Sequence, residues 1–181
     1  MVTHKGTQLI ETERLILRRV RAEDAQAMFA NWASDNEVTK YLSLPTHTGP
    51  EVTEMVVNDW VSGYIKDDFY LWVIEIDGQL IGSISVVSHD DHTAKAEIGY
   101  CIGKNWWYQG IMPEALKAVV DYLFEEVGMN RIEACHDPRN PNSGKVMLKC
   151  GMKREGTLRQ AGRNNQGICD VCVYALLNSE R

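Results

Sequence analysis

The sequence predicts one mixed α/β domain, in which about four helices flank a central, mostly antiparallel sheet of about seven strands. Strand-like and helix-like periodicities alternate along the whole chain. Asp77 and Gly78 separate two β-rich runs, a pattern typical of a tight hairpin. The 181 residues, 44% of them hydrophobic, suffice for one core. No linker, repeat or low-complexity stretch divides the chain, so residues 1–181 are expected to form a single domain.

The first half of the chain is predicted to run β-α-α-β-β-β. Residues 12–20 alternate apolar and charged positions, as a strand does. Thr48 and Glu51 stand at the spacing of a capping box, which predicts the start of the second helix. Residues 69–76, 79–87 and 94–102 are then expected to form an antiparallel meander. The first helix is indicated by an i, i+3, i+4, i+7 stripe of Ala25, Met28, Phe29 and Trp32.

The second half is predicted to run α-β-α-β-β. Residues 112–127 carry apolar side chains at helical spacing, and Gly128 supplies the stop. A short strand is expected over 130–136, and a short helix over 142–149 closed by Gly151. Two strands, over 153–159 and 169–177, are expected to close the fold.

Charge and composition exclude several classes of protein. The 19 Lys and Arg residues against 25 Asp and Glu give a net charge of −6, which argues against a dedicated nucleic-acid binder. No apolar run approaches the roughly 20 residues of a membrane helix, and the first residues lack the apolar core of a signal peptide. The five cysteines, an odd number, favour a reducing compartment. We therefore expect a cytoplasmic protein with neither a nucleic acid nor a membrane as partner.

The segment richest in chemical information is the third meander strand, the loop after it and the start of the longest helix. Free N–H groups at a helix start attract anions, and Gly110 lets the backbone approach a phosphate closely. The glycine-rich signatures of nucleotide triphosphatases and of dinucleotide-binding folds are both absent. A helix start with a packing glycine and no ligand is the alternative.

Two blocks of sequence resemble the GCN5-related N-acetyltransferases (GNAT), in particular the branch that acetylates ribosomal-protein N-termini. The first block is EIGY at 97–100 followed by WYQGIMPEA at 107–115. The second is NPNSGKVMLKCGMKREG at 140–156, and the opening TERLILR at 12–18 is also similar to that branch. The match departs from the family's phosphate-loop pattern at Trp107 and Met112. The resemblance implies a GNAT-like fold, acetyl-CoA as cosubstrate and no metal.

The resemblance also implies which residues hold acetyl-CoA. Backbone N–H groups of Gly110, Ile111 and Met112 would bind the pyrophosphate, with Trp107, Tyr108 and Gln109 on the same loop. The pantetheine arm would lie along Tyr100, Cys101 and Ile102, with Asn140 and Ser143 beside it.

Two residues are candidates for proton transfer. Ser143 would protonate the leaving thiolate, directly or through water, because Met147 occupies the position of the family's tyrosine acid; a helix-capping role is the alternative. Glu97 is the general-base candidate, with an exposed strand carboxylate as the alternative. Trp32, Tyr41 and the loop over 43–49 would contribute to an acceptor pocket, although core packing is the commoner fate of such aromatic residues.

The expected reaction is direct attack of a primary amine on the acetyl thioester. A protein N-terminal α-amino group, such as that of a ribosomal protein, is the acceptor that the branch implies. A small amine, polyamine-like or aminoglycoside-like, and a non-catalytic acyl-CoA-binding module stay open as alternatives. If the acidic excess is functional, it is expected on the acceptor side, where it would favour a cationic amine.

Two other groupings of residues are expected to have neither a metal-binding nor a redox role. Cys169 and Cys172 have C-x-x-C spacing but no further ligand pair, and they lie in a predicted strand, so they are interpreted as small apolar residues. His89, Asp90, Asp91 and His92 could bind a metal, but they occupy a predicted hairpin loop and are expected to be solvated.

Overall fold

The computed structural model describes residues 1–181 and is organised around one eight-stranded sheet. Its spatial order is β1-β2-β3-β4-β5-β6-β8-β7. All neighbouring strands are antiparallel except β5 and β6, which are parallel. The strands are β1 (Ile10–Glu11), β2 (Ile16–Arg18), β3 (Leu71–Ile76), β4 (Gln79–Asp90), β5 (Lys95–Ile102), β6 (Arg131–His136), β7 (Lys153–Asn164) and β8 (Gly167–Leu177).

An eighth strand, β1, forms just ahead of the first predicted strand, whose opening residues make a turn instead. The Thr12 amide donates to the carbonyl of Leu15 at 3.0 Å, and the Leu15 amide donates to the Thr12 hydroxyl at 3.0 Å. The chain therefore folds back, and Ile10 pairs with Leu17 across β1 and β2. Strand prediction over 12–20 was wrong in this detail, since a local side-chain hydrogen bond replaces extended backbone.

Five helices flank the sheet: α1 (Ala25–Met28), α2 (Asn36–Thr39), α3 (Pro50–Gly63), α4 (Ile111–Tyr122) and α5 (Pro141–Lys149). A 3-10 turn over Ala22–Asp24 precedes α1, and π-helical turns over Phe29–Ala33 and Leu123–Val127 extend α1 and α4. The predicted capping box of Thr48 and Glu51 does not form, because α3 begins one residue later, with Gly49 as N-cap. None of the helices combines the length and apolarity needed to cross a lipid bilayer.

The sheet is covered on both faces, so it separates two hydrophobic cores. In β3, Trp72 and Ile74 pack in the larger core, beneath α4 and α5. Leu71 and Val73 point the other way, into a smaller core that includes Trp32. This alternation follows from the two-residue period of a strand. Because both faces of β3 are buried, the middle of the sheet is a rigid platform.

The sheet opens at the middle of β5. The parallel pairing with β6 ends at Ile98 and Ala134. Residues 99–102 of β5 still pair with β4 on one side, but no strand lies on the other. Beyond Ile102 the chain turns through the loop that begins α4. The separation of β5 from β6 thus creates a cleft with a free strand edge as one wall.

Candidate active site

A cleft of about 250 Å³ lies between the free edge of β5, the loop after it, the start of α4 and helix α5. Most of the residues predicted to hold acetyl-CoA meet in it. They are Tyr100, Cys101, Ile102, Trp107, Tyr108, Gly110, Ile111, Met112, Asn140 and Ser143. Tyr41, predicted for the acceptor side, also lines this cleft.

The start of α4 presents backbone rather than side chains to the cleft. Gly110 has φ +74° and is the N-cap of α4. The side chains of Ile111 and Met112 are buried in the larger core, so their backbone faces outward. The first N–H groups of a helix have no intrahelical acceptor, and the helix dipole adds partial positive charge there. The arrangement is suited to an anionic group such as a pyrophosphate.

Ion pairing and hydrogen bonding fasten this loop to the N-terminal strands. Arg14 donates through Nε to a Glu114 carboxylate oxygen at 2.7 Å and through Nη1 to the Gln109 carbonyl at 3.1 Å. The Thr12 hydroxyl donates to the other Glu114 oxygen at 2.6 Å. Burial alone would raise the pKa of Glu114, but these hydrogen bonds outweigh it and the pKa is lowered. Glu114 is therefore ionised and positions the loop.

The side chain of Gln109 is not part of the cleft wall. Its amide donates to the Asn105 carbonyl at 2.9 Å, within the loop. Trp107 closes the end of β5, because its indole N–H donates to the Ile102 carbonyl at 2.9 Å. Tyr108 spans the mouth of the cleft: it is 82% exposed, and its hydroxyl accepts a hydrogen bond from the Asn142 amide at 3.0 Å.

Tyr100 on β5 and Ser143 on α5 both line the cleft and contact each other. The phenol oxygen of Tyr100 lies 3.0 Å from both the carbonyl oxygen and the hydroxyl oxygen of Ser143. Burial raises the pKa of Tyr100 far above its ordinary range, so the phenol is neutral. Met147, one turn further along α5, is 1% exposed and packs in the core. Ser143 and Tyr100 are thus the hydroxyl groups placed where β5 and α5 face each other.

A second cavity, of about 140 Å³, lies beside the first. The two cavities share Leu42, Tyr100 and Cys101 as wall residues. Trp32 also lines the second cavity, but it is 2% exposed and belongs mainly to the smaller core. No carboxylate lines this cavity, and its polar side chains are those of Thr39, Ser43, His47, Ser83, Ser85 and Tyr100. The expected concentration of acidic residues on the acceptor side is therefore not found in either cavity wall.

His47 was predicted only as part of the loop over 43–49. Its Nδ1 lies 2.7 Å from the Thr53 hydroxyl, and its Nε2 makes no hydrogen bond within the chain. Burial lowers the pKa of His47 below its ordinary value, so the ring is neutral at pH 7. A neutral imidazole in the wall of the second cavity can accept a proton.

Glu97 and Asn140 occupy different positions relative to the cavities. Glu97 lies on the same face of β5 as Gly99 and Cys101, but it lines neither cavity. One of its carboxylate oxygens accepts a hydrogen bond from the Ser88 hydroxyl at 3.3 Å. Asn140 precedes α5 as its N-cap residue, yet its side chain makes no capping hydrogen bond and it lines the cleft.

Lys145 and Lys149 are cleft residues that the sequence analysis did not identify. They stand one turn apart on α5, so they lie on the same face of that helix. Lys145 Nζ is 3.3 Å from the Asn142 side-chain oxygen, and neither lysine forms an ion pair. The i, i+4 spacing was the available signal, but its meaning depended on which face of α5 meets the cleft. Two free cations beside the α4 start supply local positive charge to a chain of net charge −6.

Comparisons with known proteins bear on the family and the fold of the chain. A family model described as an acetyltransferase (GNAT) domain matches residues 14–153. "Uncharacterized N-acetyltransferase p20" of Bacillus licheniformis is 34% identical over 176 residues, which are 96% of this chain and 98% of that protein. The ribosomal-protein-serine acetyltransferase of Escherichia coli K12 is 33% identical over 113 residues, 62% of this chain and 61% of that protein. The crystal structure of a GNAT-family acetyltransferase from Bacillus anthracis superposes with a TM-score of 0.83 at 28% identity, over 96% of this chain and 100% of that one.

Proposed function

The chain belongs to the GNAT acetyltransferase family and is an N-acetyltransferase; from this we propose that it transfers the acetyl group of acetyl-CoA to the N-terminal α-amino group of a protein. One observation carries the proposal: the cleft at the start of α4 and a second, uncharged cavity share a wall at Tyr100 and Cys101. A donor in the first cavity and an acceptor in the second would meet there.

Residues of the cleft suit the pantetheine arm and the pyrophosphate of acetyl-CoA. The free edge of β5 over 99–102 offers backbone groups to the amides of the pantetheine arm. Backbone N–H groups of Gly110, Ile111 and Met112 suit the pyrophosphate, and Lys145 and Lys149 add positive charge nearby. When bound, acetyl-CoA supplies an acyl thioester already activated toward an amine.

The second cavity supports a singly charged acceptor better than a polycation. A polyamine or an aminoglycoside carries several ammonium groups, which are costly to desolvate without carboxylate partners. No carboxylate lines the cavity. A protein α-amino group has a pKa of about 8 and is partly neutral near pH 7, whereas a lysine side chain has a pKa of about 10.4. The name of the E. coli relative, a ribosomal-protein-serine acetyltransferase, supports the same acceptor class.

The transfer forms a bond between the amine nitrogen and the acetyl carbon and breaks the bond between that carbon and sulfur. The nitrogen must lose a proton and the departing thiolate must gain one. Ser143 is proposed as the group that protonates the thiolate, since it lines the cleft and its hydroxyl lies 3.0 Å from that of Tyr100. Glu97 is proposed as the general base, acting through water because it lines neither cavity.

His47 is a second candidate for the base, because it is neutral and lines the second cavity. The variants Glu97→Gln and His47→Gln separate the two assignments when kcat/KM is measured against pH. Loss of the base is expected to lower kcat/KM by about 100-fold, a typical contribution of general base catalysis. A Glu97→Gln profile that matches the parent contradicts the role of Glu97, and a large loss in His47→Gln alone assigns the base to His47.

The acceptor class is tested by following thiol release from acetyl-CoA. The acceptors are ribosomal-protein N-terminal peptides, the same peptides with a blocked N-terminus and an internal lysine, and spermidine. Release with the free peptides alone supports the proposal. Release with spermidine but with no peptide overturns the proposed acceptor, and acetyl-CoA binding without release for any acceptor contradicts transfer to an amine.

A filled second cavity provides a structural control for this assay. Ser85→Leu enlarges a side chain in the wall of that cavity and leaves the cleft residues unchanged. The variant is expected to raise the KM for the peptide while equilibrium binding of acetyl-CoA stays as in the parent protein. An unchanged peptide KM would show that the acceptor does not use the second cavity.

A further inference from the structure

Two histidines and one aspartate from distant parts of the chain meet on the surface, away from both cavities. His4 lies in the N-terminal segment, His89 near the end of β4, and Asp91 in the turn between β4 and β5. None of them lines either cavity. We propose that these three side chains form a binding site for a divalent transition metal ion of the zinc class, which would tie the N-terminal segment to the β4–β5 turn.

The ligand atoms are close to the spacing that a metal requires. His4 Nε2 lies 3.1 Å from each carboxylate oxygen of Asp91, and His89 Nδ1 lies 3.0 Å from Oδ1 of the same group. All three ligand atoms lie within 4.8 Å of one another. Zinc ligands at about 2.0–2.2 Å in a tetrahedron are roughly 3.4 Å apart. A metal can therefore replace the shared protons if each histidine nitrogen moves a few tenths of an ångström away from the Asp91 carboxylate.

The ligand types are also those that zinc-class ions prefer. Two imidazoles and one carboxylate bind zinc, iron and related ions and leave a position open for water. The His4 and His89 rings are tilted by 57° to each other, with their centroids 4.9 Å apart. Because Asp91 is exposed while both histidines are half-buried, the open position is toward solvent.

A second layer of contacts orients the His4 ring. Its Nδ1 lies 2.9 Å from the hydroxyl of Tyr70, a residue buried in the larger core. This contact aims Nε2 at Asp91, as hydrogen bonds to the far nitrogen do for most metal-binding histidines. On the other side, His89 Nε2 is 3.8 Å from an Asp68 carboxylate oxygen.

The backbone around His4 is held before any metal arrives. The Thr3 amide donates to the Val127 carbonyl at 2.9 Å, and the Gly6 amide donates to the Asp67 carbonyl at 2.7 Å. In the turn, Asp90 accepts a hydrogen bond from the His92 amide at 2.9 Å, which fixes the loop that carries Asp91. Both halves of the proposed site are thus positioned by neighbours that are not ligands.

The experiment uses the full-length protein, stripped with a chelator and titrated with Zn²⁺ by calorimetry and with Co²⁺ by visible absorption. We expect one ion per chain, a rise in Tm on adding Zn²⁺, and Co²⁺ bands of a four-coordinate site. His4→Ala and His89→Ala are each expected to weaken binding by at least about 10-fold, and Tyr70→Phe by about 10- to 100-fold. His92→Ala is the matched control, because this neighbouring histidine is outside the cluster and its loss should leave binding unchanged.

The metal-induced shift in Tm is compared within each variant, with and without Zn²⁺, so that a variant of lower basal stability remains informative. Asp91→Asn provides an isosteric third ligand variant and is expected to remove the shift. Absence of binding by the parent protein overturns the proposal. Binding that survives in both His4→Ala and His89→Ala, or that is lost equally in His92→Ala, also overturns it.

Discussion

The hydroxyl of Tyr100 lies 3.0 Å from the hydroxyl of Ser143 and 3.0 Å from its carbonyl oxygen, so one side chain of β5 bridges to the first turn of α5. The contact joins two elements that come from different parts of the chain. If Tyr100 donates to the carbonyl, the Ser143 hydroxyl retains its own hydrogen, which it can give to the phenol oxygen or to a group in the cleft.

This relationship predicts different outcomes for two variants. Ser143→Ala removes the proposed proton donor and is expected to lower kcat by about 100-fold, in line with the contribution of a general acid. Tyr100→Phe removes a hydroxyl that positions Ser143, and should lower kcat less while reducing the free energy of unfolding by about 1 kcal/mol. Steady-state kinetics and denaturant unfolding check both. If Ser143→Ala leaves kcat and the KM for acetyl-CoA unchanged, the serine has only a structural role.

Lys145 and Lys149 predict an electrostatic effect on acetyl-CoA binding. Replacing both with alanine is expected to raise the KM for acetyl-CoA by about 10-fold at low salt, equivalent to roughly 1.4 kcal/mol, with little change in kcat. The difference should shrink as salt is added, because exposed charges are screened. Lys66→Ala is the control, since Lys66 is exposed and lines neither cavity. An equal rise in the control would show a general effect of net charge.

Gly110 predicts a combined cost to stability and to cofactor binding. Its φ of +74° disfavours any other residue, although a methyl group there would have room, with Arg14 Nη2 3.7 Å away. Gly110→Ala is expected to lower the free energy of unfolding by about 1–2 kcal/mol and to raise the KM for acetyl-CoA. At Gly156 φ is ordinary, and no neighbouring atom lies within 4 Å of an added methyl group. Gly156→Ala should therefore have little effect on the free energy of unfolding or on the KM for acetyl-CoA. Similar changes in the two variants would mean that backbone conformation at Gly110 is not the cause.

Asp137 predicts how stability depends on acidity. Hydrogen bonding from Arg139, including its backbone amide at 2.8 Å, and from Asn164 at 2.8 Å holds the pKa of this buried carboxyl well below its usual range. A lowered pKa in the folded state stabilises the protein above the unfolded value of about 4, and this contribution is lost as the pH falls toward the folded value. Asp137→Asn is expected to lower the free energy of unfolding at pH 7 by about 1–3 kcal/mol.

The difference in free energy of unfolding between the parent and Asp137→Asn should become smaller when denaturant unfolding is measured below about pH 4. Asp59→Asn, an exposed position on α3 whose side chain makes no ion pair, serves as the control and should follow the parent at every pH. A deficit in Asp137→Asn that is constant from pH 7 to strong acid would assign the loss to packing rather than to ionisation.

Local patterns predicted the elements of the fold well where a single residue imposes the conformation. Asp77 and Gly78 both have positive φ, as the hairpin signal required, and Gly128 ends the α4 segment with φ +82°. The prediction failed at Thr48, because the capping pattern competes with Pro50, whose fixed φ is favoured in the first turn of a helix. Such competition between two local signals is settled by how the helix packs.

The sequence by itself predicted most of the helices, strands and turns, because turn conformation and periodicity act between residues close in the chain. The GNAT fold and family were predicted by the resemblance of the blocks at 97–115 and 140–156 to that family. Only the tertiary structure decided what lies across from them. The parallel pairing of β5 and β6 ends at Ile98, and this opens the cleft onto which α5 turns Lys145 and Lys149. His4 likewise meets His89, although 84 residues separate them in the sequence. Contacts of this kind depend on the packing of whole elements, which no local pattern specifies.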